Sequence, residues 1–187
     1  MMFSDIAKKI LAIAKKDEKR EPFIIGIDGR CTSGKTTLAS AISALCNCSV
    51  IHTDDFYIPK SKRSATATEV GSHMDFARLE AHLSSLREKK DAVYRPYICK
   101  TDSFGEQISV RAEGIIILEG SYSHHPVLKK HLDLAVFLSV EQGEQARRIR
   151  LREGERADAF FERWIPEEER YHSAFDVKLN ADISFDT

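Results

Sequence analysis

The segment from Gly29 to Thr36 has the residue types and spacing of a phosphate-binding loop, or P-loop. It fits the pattern GxxxxGK[ST] at every position. Glycines in such a loop let backbone N–H groups surround phosphate oxygens, the lysine adds positive charge near the β- and γ-phosphates, and the last hydroxyl binds Mg²⁺. We therefore expect ATP and Mg²⁺ as cofactors, with the nucleotide bound by Gly29, Thr32, Ser33, Gly34, Lys35, Thr36 and Thr37, and with Thr36 as a metal ligand.

Two carboxylates follow segments that are candidate strands. Asp54 comes after Ser49–Thr53, and Glu119 comes after Ile115–Leu118. Parallel sheets place ligand-binding residues at the carboxyl ends of their strands. Asp54 could accept the proton of a hydroxyl that attacks the γ-phosphate, with Lys35 and Glu119 as further catalytic residues and Glu119 also as a metal ligand. The alternatives are a turn or N-cap for Asp54 and a solvated strand-end residue for Glu119.

Arginines are concentrated in a predicted helix at residues 142–152. Arg148 and Arg152 are four residues apart, so they lie on one helical face and could both reach the nucleotide. The planar guanidinium group suits charge that develops on a transferred phosphoryl group. The alternative is a solvent-exposed helix paired with Glu141 and Glu144.

The elements that must position these residues form an alternating pattern. Continuous apolar runs predict buried strands, and helices lie between them, which favours a parallel sheet covered on both faces. The fold class is thus α/β, a P-loop NTPase three-layer sandwich in one domain, residues 1–187, with an N-terminal helix in 1–20. Strands are predicted at 23–28, 49–53, 115–118, 134–138 and 181–185, and helices at 3–16, 35–45, 76–89, 142–152 and 159–174, with a mobile loop at 59–73.

Composition and charge limit the kinds of molecule that the protein is expected to bind. The formal net charge of -1 provides no overall positive field for nucleic acid, and no apolar run has the length of a membrane span. The four cysteines form no CxxC pair, so we expect structural thiols in a reducing cytoplasm. A homodimer is compatible with this composition.

The strings GIDGRCTSGKTT, HTDDFYIP, MDFARL and ILEGSYSHHP, in this order, resemble the uridine kinase and phosphoribulokinase-type P-loop kinases, with nicotinamide riboside kinases as relatives. This resemblance, over residues 23–175, implies that Asp54 is the catalytic base and that Asp75 faces the ribose of the acceptor. It also implies that Tyr97 orients the acceptor, that Asp55 and Tyr57 contact it, and that residues 147–160 form a short helical lid. Taken without the resemblance, Asp75 is an N-cap and Tyr97 a core or surface aromatic residue.

The sequence thus predicts an ATP-dependent kinase that phosphorylates a hydroxyl group of a small metabolite. The resemblance to nucleoside kinases implies that this metabolite is a nucleoside or a similar compound. Ile98 and Asp102 replace the polar residues that uridine kinases carry after the substrate tyrosine, so uridine is expected to be a poor acceptor. The alternatives are a P-loop ATPase or GTPase that acts as a switch or assembly module, and a kinase for a sugar or vitamin precursor.

Overall fold

The computed structural model describes residues 2–17, 21–63 and 68–187. Its strands are β1 (Phe23–Gly29), β2 (Cys48–His52), β3 (Ala92–Tyr94), β4 (Tyr97–Ile98), β5 (Ser103–Phe104), β6 (Ile108–Val110), β7 (Ile115–Glu119), β8 (Leu134–Ser139) and β9 (Ile183–Asp186). Its α-helices are α1 (Phe3–Ala14), α2 (Lys35–Ser43), α3 (Phe76–Arg87), α4 (Pro126–Lys129), α5 (Gln142–Glu153), α6 (Ala157–Ala159) and α7 (Ile165–Ala174). Single 3₁₀ turns lie at Lys15–Asp17, Thr53–Phe56, Lys60–Lys62 and Gly154–Arg156, and a π-helical turn, Phe160–Trp164, joins α6 to α7.

The central sheet has five parallel strands in the order β2-β7-β1-β8-β9. β1 is its middle strand, pairing Phe23 with Ile115 of β7 and Ile25 with Leu134 of β8. Every residue of β1 is buried, as expected for a strand with neighbours on both sides and helices on both faces. The predicted parallel α/β sheet is confirmed.

Two apolar cores lie on the two faces of this sheet. On one face, α1 and α2 bury residues such as Ile10 and Ile42 against β1 and β8. On the other face, α3, α4 and α7 bury residues such as Leu83, Leu128 and Tyr171. The three-layer arrangement predicted from the sequence is therefore present, and the apolar face of the N-terminal helix forms part of the first core.

The sequence missed two small antiparallel ribbons between α3 and β7. One ribbon pairs β3 with β6, and the other pairs β4 with β5. Their strands have only two or three residues, too few for an apolar alternation to be visible. The helix predicted at 159–174 exists, but the π-helical turn interrupts it. Residues 64–67 of the predicted mobile loop, and residues 1 and 18–20 at the N-terminus, lie outside the described residues.

A buried carboxylate fixes the end of β1 from which the P-loop begins. Asp28 is fully buried and accepts hydrogen bonds from the backbone N–H of Gly29 at 2.7 Å, the backbone N–H of His124 at 2.9 Å and the hydroxyl of Tyr171 at 2.7 Å. Hydrogen bonds to a charged acceptor are stronger than neutral ones. Asp28 thus ties β1, the segment after β7 and α7 together directly beneath the loop.

None of the described helices is both long enough and apolar enough to span a lipid bilayer.

Candidate active site

The P-loop backbone requires glycine at two positions. Gly29 has φ 141°, and a Cβ there would lie 2.0 Å from the carbonyl oxygen of Leu138. Gly34 has φ 92°, and a Cβ there would lie 2.2 Å from the ring of Phe3 in α1. Only glycine adopts these angles without strain and without a clash. Lys35 is the first residue of α2, and its Nζ donates to the carbonyl oxygens of Gly29 at 2.6 Å and Arg30 at 3.0 Å, within the loop itself.

A cavity of about 620 Å³ opens beside this loop, a size typical of small-molecule sites. The structure brings seven of the predicted site residues together on its wall. They are Thr32 of the P-loop, Lys35 and Thr36 from the start of α2, Asp54 and Tyr57 from the segment after β2, Glu119 from the end of β7, and Arg152 from α5. Because β2 and β7 are adjacent and parallel, their carboxyl ends deliver Asp54 and Glu119 to the same edge of the sheet.

Asp54 reaches solvent through this cavity, although protein surrounds it closely. Desolvation by that protein raises the pKa of its carboxyl group, and the negative charge of Glu119 acts in the same direction. Lys35 and the hydroxyl of Tyr57 oppose the shift. A carboxylate with a raised pKa holds a proton more firmly than an ordinary aspartate, which suits a general base.

Oxygen ligands for a divalent cation meet between α2 and β7. The hydroxyl of Thr36 lies 3.3 Å and 3.4 Å from the two carboxylate oxygens of Glu119. Mg²⁺ prefers oxygen ligands and keeps several waters, so one hydroxyl and one carboxylate beside a phosphate-binding loop fit this ion. Within the described residues there is no cluster of three or more His, Cys, Asp or Glu side chains suited to a metal. Thr36 and Glu119 thus fit a magnesium ion that takes its other ligands from water and phosphate.

His52 was not singled out from the sequence, yet it contacts this pair. Its Nδ1 lies 2.5 Å from Oε1 of Glu119. The hydrogen bond to Glu119 raises the pKa of His52, and partial desolvation opposes the shift. His52 therefore holds the Glu119 carboxylate through the oxygen that Thr36 also contacts, and it helps to fix the orientation of that carboxylate.

The two predicted nucleotide-binding arginines lie next to the loop. Arg148 and Arg152 line a second, smaller cavity of about 280 Å³, together with Gly34 and Thr37. Arg148 donates to the carbonyl oxygen of Thr32 at 3.1 Å and to Glu144 at 2.7 Å. The pairing with Glu144 that the sequence offered as an alternative is thus also present, because Arg148 contacts both Glu144 and the P-loop. Arg152 lines both cavities and donates to the sulfur of Cys31 at 3.5 Å.

The remaining predicted residues do not line either cavity, as far as the described residues show. Ser33 is fully buried within the loop. Asp75 caps α3 by accepting from the backbone N–H of Arg78 at 3.1 Å, which is the alternative interpretation given above. Asp55 accepts from the hydroxyl of Tyr94 at 3.0 Å, and Tyr97 is buried with its hydroxyl on Asp102. Substrate contacts by Asp55, Asp75 and Tyr97 stay predictions.

Known proteins share this architecture and these motifs. A sequence-family model described as the AAA domain matches residues 25–172. The chain belongs to the AAA domain family. That match contains the P-loop, both strand-end carboxylates and the arginine helix, so the candidate site lies inside the matched region.

This AAA domain is also similar to individual proteins. It is 29% identical over 137 residues to uridine-cytidine kinase D of Dictyostelium discoideum. This alignment covers 73% of the chain but only 27% of that protein. It is 47% identical over 60 residues to human nicotinamide riboside kinase 1. This shorter alignment covers 32% of the chain and 29% of that protein. The chain thus matches less than a third of the length of either relative. A solved structure described as a possible uridine kinase from Bacillus stearothermophilus superimposes with a TM-score of 0.75 at 23% identity, over 98% of this chain and 97% of that one, and confirms the fold.

A buried glutamate on α7 anchors the P-loop of this AAA domain, and sequence reasoning did not find it. Glu168 is 5% exposed. It accepts hydrogen bonds from the backbone N–H of Cys31 at 2.8 Å and from the hydroxyl of Ser121 at 3.2 Å. Gln145 of α5 supports the same point by donating to the carbonyl oxygen of Cys31 at 3.3 Å. Because these partners are far from Glu168 in the sequence, no local sequence pattern predicts the contacts. Glu168 is one of three consecutive glutamates, and nothing in the sequence distinguishes it from the other two.

We expect Glu168→Ala to destabilise this AAA domain by about 1.5–3 kcal/mol, because a buried charged acceptor would be lost and its donors left unpaired. The KM for ATP should also rise, since the loop would lose its anchor to α7. Urea denaturation and ATP titrations measure the two effects. Glu162→Ala removes a solvent-exposed glutamate from the same helical segment and should change stability by less than about 0.5 kcal/mol. Equal stability of the two variants would contradict the anchoring role.

Proposed function

We propose that the chain is an ATP-dependent kinase that transfers the γ-phosphate to a hydroxyl group of a small, nucleoside-like metabolite. The observation that carries the proposal is the position of Asp54. It stands at the carboxyl end of β2, in the same cavity as Lys35 and Thr36 of the P-loop. A strand-end carboxylate beside the terminal phosphate is what a hydroxyl acceptor needs and what a phosphate-binding loop alone does not provide.

The proposed reaction assigns one task to each residue. The acceptor hydroxyl gives its proton to the Asp54 carboxylate as its oxygen forms a bond to the γ-phosphorus, and the bond from that phosphorus to the ADP oxygen breaks. Lys35 places its positive charge next to the transferred group. Arg152, which faces both cavities, adds a second charge on the side of the lid.

Thr36 and Glu119 are the residues proposed to hold Mg²⁺. When bound, this ion neutralises charge on the β- and γ-phosphates. His52 keeps the Glu119 carboxylate in place through its hydrogen bond. The kinase names of the two relatives support phosphoryl transfer to a nucleoside-type hydroxyl, and this chain carries a P-loop and two strand-end carboxylates suited to it.

A screen for acceptor-dependent ADP release tests the proposal. The purified protein is incubated with ATP and Mg²⁺ and with nucleosides, sugars or vitamin precursors in turn. A kinase should hydrolyse ATP slowly alone and release ADP several-fold faster with its acceptor, since an enclosed site protects the γ-phosphate from water. Rapid ATP hydrolysis that no acceptor increases would instead identify an ATPase.

A further inference from the structure

The cavity has two chemically different ends. The P-loop and the two strand-end carboxylates form the first end, where the phosphoryl group would be transferred. Tyr57, Tyr122 and Trp164 form an aromatic wall at the second end. His73 lies behind this wall, with ring centroids 5.4 Å from Tyr57, 5.2 Å from Tyr122 and 5.6 Å from Trp164. The part of the acceptor that is not phosphorylated must lie against these rings.

Three of the four acidic residues that line the cavity, Glu119, Glu153 and Glu168, belong to the first end, and Asp54 lies between the two ends, near Lys35 and hydrogen-bonded to Tyr57. Asp54 and Glu119 lie beside Lys35 and Thr36. Glu153 is ion-paired with Arg152 at 2.8 Å, and Glu168 is bound to the P-loop and Ser121. Each of these four carboxylates therefore already has a basic or hydrogen-bonding partner near the nucleotide side.

Positive charge collects at the second end, on Lys60, Arg63 and Arg163. The guanidinium group of Arg63 lies 5.5 Å from the ring centre of Tyr57, and that of Arg163 lies 4.6 Å from the ring centre of Trp164. Arg63 donates to the carbonyl oxygen of Ile58 at 2.6 Å. Within residues 2–17, 21–63 and 68–187, neither Arg63 nor Lys60 has a carboxylate at ion-pair distance.

Two nearby acids compensate only part of this charge. Glu167 lies 3.6 Å from Arg163 and 3.5 Å from His73. Asp102 accepts from the hydroxyl of Tyr97 and from the backbone N–H of Lys60 at 3.4 Å, but it does not line the cavity. Among the described residues, the cavity wall at the aromatic end thus carries three cations, and the acid in contact with it is Asp54, through its hydrogen bond with Tyr57.

The pKa of the His73 imidazole is also affected by the positive charge at this end of the cavity. Burial lowers the pKa of His73 to about 4, and the positive charges of Arg63 and Arg163 contribute to the lowering. Both guanidinium groups therefore act on the ring that backs the aromatic wall. Arg63 is partly buried in this wall and has no carboxylate at ion-pair distance among the described residues, so an anionic ligand would supply the charge-assisted hydrogen bonds that its guanidinium group lacks.

We propose that the acceptor carries a negative charge, as a carboxylate or a phosphate, on the end remote from the hydroxyl that is phosphorylated, and that Arg63 determines this specificity. The proposal rests on the proposed function, because it describes the second substrate of the same site. A neutral nucleoside would leave Arg63 and Lys60 without a carboxylate partner among the described residues, whereas Arg163 would keep its ion pair with Glu167 at 3.6 Å. An anionic one would bind Arg63 and Arg163 while its hydroxyl faces Asp54.

Matched pairs of ligands test the charge directly. Uridine and orotidine differ by one carboxylate, and fructose and fructose 6-phosphate differ by one phosphate, so the two pairs separate the two sources of charge. Trp164 is the only tryptophan of the chain and lines the cavity, so its fluorescence reports binding there. The titrations are made with a saturating non-hydrolysable ATP analogue and Mg²⁺, which keeps the P-loop from competing for the anion.

We expect the anionic member of at least one pair to bind about tenfold or more tightly than its neutral partner. Arg63→Gln should reduce this preference to within about threefold and leave binding of the ATP analogue unchanged, because Arg63 does not line the smaller cavity beside the P-loop. Arg111→Gln is the matched control, since Arg111 is exposed and paired with Glu113 away from this cavity. Its preference should equal that of the wild type.

Equal or tighter binding of both neutral members, or no fluorescence response to either anionic member, would overturn the proposal. ADP release measured with the same four compounds separates this failure from failure of the kinase function. Transfer to uridine as efficient as transfer to orotidine would leave a kinase without the anion preference. If anion binding depended on Arg63 but no acceptor were phosphorylated in the wider screen, the anion-binding site would be supported and the kinase function would be rejected.

Discussion

Lys35→Ala should reduce acceptor-dependent ADP release by about a hundredfold or more, because several kcal/mol of charge stabilisation in the transition state would be lost. Lys35 starts α2, and its ammonium group lies within the loop, bound to two of its carbonyl oxygens. The variant should still fold, since no buried carboxylate depends on the lysine for an ion pair among the described residues. Steady-state kinetics with a productive acceptor measures the loss, and circular dichroism checks the fold.

Lys90→Ala provides the comparison for this variant. Lys90 is exposed and paired with Glu88 at 2.8 Å, remote from the cavities. Its removal should leave turnover at the wild-type level. Turnover by Lys35→Ala that matches the Lys90 variant would refute phosphoryl transfer at this loop.

Asp54→Asn should lower phosphoryl transfer by about 10²–10⁴ while ATP still binds, because the amide keeps the shape of the side chain but does not accept the proton. Asp54 lies in the wall between the phosphate end and Tyr57, where an acceptor hydroxyl would approach. Calorimetric titration with an ATP analogue and single-turnover kinetics separate nucleotide binding from the chemical step.

The exposed Asp5 of α1 provides a matched substitution, and Asp5→Asn should alter neither ATP binding nor transfer. If Asp54→Asn instead lost ATP affinity and kept its turnover, Asp54 would be a ligand of the nucleotide or of Mg²⁺. The base would then have to be sought elsewhere in the cavity.

Much of the fold could be predicted from the sequence because the inner strands of its sheet are mostly apolar. A strand that is buried on both faces, such as Ile115–Glu119, shows itself as a continuous apolar run. The ribbon strands β4 and β5 escaped detection because two residues carry no periodicity. Strand ends were predicted to within a residue or two, as at β2 and β9, because hydrogen-bond pairing rather than residue type sets the last position.

The candidate site was predictable where it is local. The P-loop and the strand-end carboxylates follow from short patterns, and the structure brings Lys35, Thr36 and Asp54 to one cavity. Glu168 and Arg63 were not predictable, because their roles depend on contacts between segments that the chain brings together only on folding. Asp75 illustrates the opposite case: one residue type suits both a helix cap and a ligand, and only the cap is visible in the contacts of this structure.

The central position of β1 has a consequence for synthesis on the ribosome. β1 is translated before both of its sheet partners, β7 and β8, which begin only at residues 115 and 134. Pairings between such distant segments form slowly, and an unpaired apolar strand is prone to aggregate. Phe23–Gly29 must therefore stay shielded, by α1 and α2 or by a chaperone, until residues 115–139 have been translated. A pause in translation between β2 and β7 should thus lower the yield of folded protein more than a pause after β8.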